Sequence, residues 1–150
     1  MISVAIIGIL STVGPPIFIQ MQRFYIQNSA RNDVQRDARQ SLDIINRFVR
    51  QAVSMTIQID QVSGQPPYSR LSFTSIKGQT VSFWQSGTKL YMKLNNNTSV
   101  LAKNLRYIAF VFPRSDDITI INVSMTMEQK SYEGTTKALE LSIEKVRVMN

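Results

Sequence analysis

Cysteine and histidine are both absent from this 150-residue chain, and that decides most of the chemistry open to it. Without them there are no disulfides, thiolate nucleophiles, serine–histidine triads or ordinary zinc sites, so catalysis would fall to carboxylates, Lys or Tyr. Asp116 and Asp117 are adjacent carboxylates. Calcium needs at least four further oxygen ligands, which no nearby pattern supplies, so the pair reads as a solvated turn. No catalytic residue, metal ligand or cofactor site emerges, and the sequence points away from an enzyme. Trp84, Tyr91, Tyr107 and Phe110 lie near Lys89, Lys93 and Arg106, a mixture that can stack on and neutralise single-stranded nucleic acid. Ordinary strand packing accounts for the same residues. The net charge of +7 favours polyanionic neighbours, whether nucleic acid, anionic lipid or cell-wall polymer, yet no Lys/Arg run selects nucleic acid.

The elements that would carry these residues follow from length and periodicity. A chain of 150 residues, 43% hydrophobic and 18% charged, folds as one compact domain with an appendage. Residues 1–21 carry no charge, and Arg23 is the first charged residue. A helix of that length matches the roughly 30 Å apolar core of a bilayer. A cleaved signal peptide fits poorly, because a basic n-region and a small-x-small cleavage site are both lacking. Gly14-Pro15-Pro16 removes two backbone donors inside the run, which predicts a break between two helical pieces.

Over residues 29–55 the apolar positions Ala30, Val34, Ala38, Leu42, Ile45, Phe48 or Val49, and Ala52 recur at helical steps, opposite a charged face. Val34, Leu42, Ile45 and Val49 are expected to pack this helix on a sheet. Asp33 with Arg36 and Asp43 with Arg47 are spaced to pair along it. From residue 56 the period becomes two. Leu71 and Phe73, Val81 and Phe83, and Leu90, Met92 and Leu94 predict an antiparallel meander with turns at Lys77-Gly78 and Ser86-Gly87. Residues 107–112 read as a strand buried on both faces. Ile121, Val123, Met125 and Met127 share one face of a strand. Leu139, Leu141 and Ile143 are expected to do the same in the last strand, with a bulge near Lys145 passing the apolar phase to Val146 and Val148. Residues 64–67, 95–97 and 129–136 are expected loops. The divisions are thus a hydrophobic helix (1–28), an amphipathic helix (29–55) and an antiparallel β-sheet domain (56–150), an α+β chain.

This layout resembles type IV pilin-like proteins. Ala5-Ile6-Ile7-Gly8-Ile9-Leu10 looks like the middle of that family's N-terminal methylation motif, and Pro16 falls where the family places a helix-disrupting proline. Ala38-Arg39-Gln40-Ser41-Leu42, followed by Arg47 to Ala52, is similar to the helix of W-type minor pilins and of pseudopilin J of type II secretion. Leu105-Arg106-Tyr107 and the two strands after it are similar, more weakly, to the last strands of that group. The resemblance implies a pilin-like fold and a structural subunit of a type IV pilus or type II secretion system. It implies other pilin or pseudopilin subunits, an inner-membrane assembly platform and membrane lipid as partners. It also implies a single-pass inner-membrane protein with its C-terminal domain periplasmic or on an extracellular filament. Ile6, Ile7, Leu10, Ile17 and Phe18 would pack in the filament core, and Gly14, Pro15 and Pro16 would form the flexible point. A DNA-binding pilin-like surface protein active in DNA uptake is the alternative, with nucleic acid a less favoured partner.

The family's basic leader, cleavage-site Gly and Phe-Thr-Leu-Ile-Glu-like stretch do not precede Met1. The expectation is that upstream coding sequence supplies them. As written, Arg23 and Arg31 follow the apolar run, and the positive-inside rule would keep the sheet domain in the cytoplasm.

Overall fold

The computed structural model describes residues 2–130 and 137–149. It is α+β: one long N-terminal helix, α1 (Ile2–Val49), and two antiparallel sheets. At about 1.5 Å per residue α1 extends ~72 Å, well beyond the domain it serves. The helix continues through Pro15 and Pro16, so the expected break there is corrected to one uninterrupted element. A proline ring holds φ near −65°, a helical value, so the helix can pass through the pair, at the cost of two N–H donors and of crowding against the preceding turn. Nothing packs within 4 Å of where a side chain on Gly14 would begin.

The helix ends at Val49, before the expected limit of residue 55. Tightening is visible in the last turn, where Gln51 N donates to Phe48 O and Ala52 N to Val49 O, both 3.0 Å. The next carbonyls are claimed from outside, Arg50 O by Met149 N (3.3 Å) and Gln51 O by Ile76 N (3.0 Å). These bonds pin the helix terminus to both sheets. A short 3-10 turn (Ser54–Thr56) leads into the strands.

Strands β1 (Gln58–Asp60), β2 (Arg70–Thr74), β3 (Thr80–Ser86), β4 (Lys89–Leu94) and β5 (Asn97–Ala102) form a five-stranded meander in chain order. Its β2–β4 part has the expected pairing, with Leu71 opposite Phe83 and Phe83 opposite Met92. Gly78 (φ 74°) and Gly87 (φ 59°) take the left-handed conformation that the two hairpins require. Asn95 (φ 54°) does so at the third hairpin, and Asn97 already belongs to β5, which corrects the expected 95–97 loop.

The second sheet contains β6 (Leu105–Val111), β7 (Ile120–Lys130) and β8 (Lys137–Arg147) in that order. Ile108, Ala109 and Phe110 are buried on both faces of β6, while Tyr107 is exposed. The bulge expected in β8 is absent, since β8 pairs with β7 in one register from Ile120↔Arg147 to Lys130↔Lys137. Val146, opposite Ile121, sets the inward phase, which turns Leu141 and Ile143 outward and corrects their expected burial. The inward positions are Glu140, Ser142 and Glu144. They are tolerated because α1 meets them with amide donors, Gln35 Nε2 to Glu140 Oε2 at 3.3 Å and Asn46 Nδ2 to Glu144 Oε1. The Leu139 side chain and residues 131–136 of the expected last loop lie outside the described residues.

One core joins these layers. Val34, Ala38, Leu42, Ile45 and Val49 of α1 are buried against Ile121, Val123, Met125 and Met127 and against the inner face of the meander. Phe48 meets Phe83 edge-on at 6.4 Å between ring centres. Gln85 bridges the two sheets. Its Nε2 donates to Gly87 O (3.0 Å) and Arg106 O (3.2 Å), and its Oε1 accepts from Ile108 N (3.1 Å).

Among the described residues, no helix is long and apolar enough to cross a membrane. The expected single-pass inner-membrane placement is corrected accordingly.

Candidate functional site

The largest departure from ordinary globular packing lies on α1 before it reaches the sheets. From residue 14 to residue 27 every side chain is exposed, and burial begins at Ala30. Ile17, Phe18, Ile19, Met21, Phe24, Tyr25 and Ile26 all stand in this stretch, with Phe18 63% and Tyr25 75% exposed. Arg23 is its only charge. Phe18, Met21, Gln22, Tyr25 and Ile26 recur at three- and four-residue steps and line a shallow hollow of about 420 Å³ along one flank. Ile17 and Phe24, seven apart, lie on another flank, so apolar groups surround the helix. A monomer gains nothing from such an arm in water, and a contiguous apolar surface of this kind marks an interaction site.

The same helix therefore has two chemically different halves. Beyond Ala30 its small apolar positions fall on one face and are buried, Val34 at 2% and Ile45 and Val49 at 0% exposure. Buried Ser41 keeps its hydroxyl satisfied by donating to Asp37 O at 2.7 Å. The outer face carries the charges, with Arg36 3.6 Å from Asp33. Arg47 lies over the Phe48 ring at 5.5 Å, and among the described residues it forms no ion pair with Asp43, contrary to the spacing rule.

Of the residues singled out in the sequence, Ile17 and Phe18 stand on the exposed arm, and Gly14, Pro15 and Pro16 begin it. Ile6, Ile7 and Leu10 lie further along α1 toward the N-terminus, their side chains outside the described residues. Phe24, Tyr25 and Ile26 carry the arm past Arg23, the first charge and the limit of the uncharged run. The readable signal was that Arg23 is the only charge before Arg31.

The other candidates are dispersed or occupied. Phe110 is fully buried and Tyr107 is on the second sheet, so neither joins Trp84 and Tyr91. Those two rings stack on each other across β3 and β4 (5.6 Å, 12°), so each gives one face to its neighbour. Arg106 pairs with Glu128 at 3.3 Å. Asp117 accepts from Thr119 N (2.9 Å) and from the Thr119 hydroxyl, and these bonds hold its carboxyl below the ordinary aspartate value, with Arg147 and Arg114 adding to the effect. Asp116 is drawn instead to Arg114 at 3.4 Å. Among the described residues, no three acidic groups converge as a metal site would require. No family model matches the chain, and no curated protein matches it.

Proposed function

We propose that this chain is a structural subunit of a type IV pilin-like assembly, a minor pilin or pseudopilin, that joins other subunits through its N-terminal helix. The observation that carries this reading is the exposed apolar arm of α1, continuous with a helix whose second half is locked into an α+β domain. In a helical assembly such arms bury one another, and the domain stays outside. The motif Ala5 to Leu10, Pro16 and the Ala38 to Leu42 segment support the same reading. Ile6, Ile7, Leu10, Ile17 and Phe18 then act as packing residues, and Gly14, Pro15 and Pro16 are the place where the helix gives way during assembly.

The test is Phe18→Glu combined with Phe24→Glu. Both side chains lie outside the domain core, so the domain's melting temperature should not change, while incorporation of the chain into filaments should be lost. Normal incorporation of a folded variant defeats the proposal.

A further inference from the structure

The phase of β8 creates a second surface, separate from the arm. Leu141, Ile143, Lys145 and Arg147 occupy alternate positions on the outer face of that strand, opposite Thr126, Ser124, Asn122 and Ile120 of β7. They form a strip about 20 Å long. Its first half is apolar, with Leu141 65% and Ile143 62% exposed. Its second half is basic. There the strip meets the end of α1 at a hollow of about 520 Å³ lined by Arg50, Lys145, Arg147, Val148 and Met149. Among the described residues, Arg50, Lys145 and Arg147 have no carboxylate within 4 Å. β8 is also the last strand of its sheet, so its outer edge has no strand partner among the described residues.

We propose that the outer face and edge of β8 dock an extended acidic segment of a partner protein, one with apolar side chains against Leu141 and Ile143 and carboxylates against Lys145, Arg147 and Arg50. Charge complementarity selects this occupant. A nucleic acid would use the basic half and leave Leu141 and Ile143 in water. A second copy of β8, paired antiparallel about Ser142, would set Glu140 opposite Glu144, a like-charge contact that strand pairs avoid. Strand addition supplies backbone bonds along the edge, and the side-chain strip supplies the choice of sequence.

The probe is a fluorescent eight-residue peptide with two glutamates and two valines on one face and threonines on the other, titrated into the full chain by anisotropy. Binding is expected. Leu141→Ser with Ile143→Ser should weaken it at least tenfold, and Lys145→Ala with Arg147→Ala should weaken it at least tenfold and reduce its salt dependence. Hydrogen exchange on the unmodified chain gives an independent reading, since bound peptide should slow exchange of amides in residues 141–147. The proposal is overturned by absence of peptide binding, by unchanged β8 exchange in the complex, or by an oligothymidylate that binds more tightly and is indifferent to loss of Leu141 and Ile143. Phe18→Glu with Phe24→Glu should leave peptide binding intact, so failure of this site and failure of the arm are told apart.

Discussion

Replacing Gln85 with Met keeps the side chain's length and removes its amide, and the consequences can be worked from three bonds. Gln85 is 3% exposed and connects β3 to the start of β6, donating to Gly87 O and Arg106 O and accepting from Ile108 N. Each bond has a net value of about 0.5–1.5 kcal/mol, and a buried N–H left without a partner costs about 1–3 kcal/mol. Ile108 is itself fully buried, so its amide has little access to water as a replacement. The methionine regains part of this through apolar burial, leaving an expected loss of about 2–4 kcal/mol. For a chain of this size that corresponds to a drop of about 4–16 °C in Tm. Urea titration of the full chain in mild detergent, followed by circular dichroism, measures the change directly. Hydrogen exchange at the Ile108 amide should accelerate by the same free energy. A loss below about 1 kcal/mol, with Ile108 protection unchanged, would refute the claim that Gln85 holds the sheets together.

Two further outcomes follow from the packing and the electrostatics. Leu42→Asp places a charge between α1 and the second sheet, where Leu42 is 7% exposed, and should cost several kcal/mol, on the order of 3–5, in the same urea titration; a stability within about 1 kcal/mol of the original would contradict the helix–sheet interface. Asp117 has a lowered folded pKa, so its contribution is present above the unfolded aspartate value and is lost as pH falls through the folded value. The stability difference between the original chain and Asp117→Asn should therefore shrink as pH is lowered from about 6 to about 2, and a difference independent of pH would show that the Thr119 bonds do not favour the charged form.

The parts of the fold that were legible are those where burial and sequence share one period. Leu71 and Phe73, Val81 and Phe83, and Leu90 and Met92 alternate because one face of the meander is covered, and each of them is buried. The start of β5 carries no such mark, because Asn97 to Val100 is exposed and no apolar alternation runs through it. The phase of β8 is hidden in the sequence for the opposite reason. Leu141 and Ile143 look like core residues, while the inward Glu140 and Glu144 depend on Gln35 and Asn46, about a hundred residues away, for their partners. Gln85 gave no signal, since a bridge between sheets depends on where β6 lies and not on local pattern. The arm was only partly legible. Its apolar content is plain and the 1–28 division takes in residues 24–26, but no local pattern says where along the helix the sheets begin to cover it.

If other subunits cover the apolar arm of α1, side chains along it lie close to a neighbouring copy, and this cysteine-free chain lets a single thiol be placed at each position. Single cysteines at Phe18, Met21 and Tyr25, with Lys77→Cys on the β2–β3 turn as control, can be cross-linked with a bis-maleimide in cells that assemble the protein. Discrete adducts of subunit size are expected from the three arm positions and none from the control. Arm cysteines that remain monomeric while Lys77→Cys behaves identically would contradict that cover by other subunits.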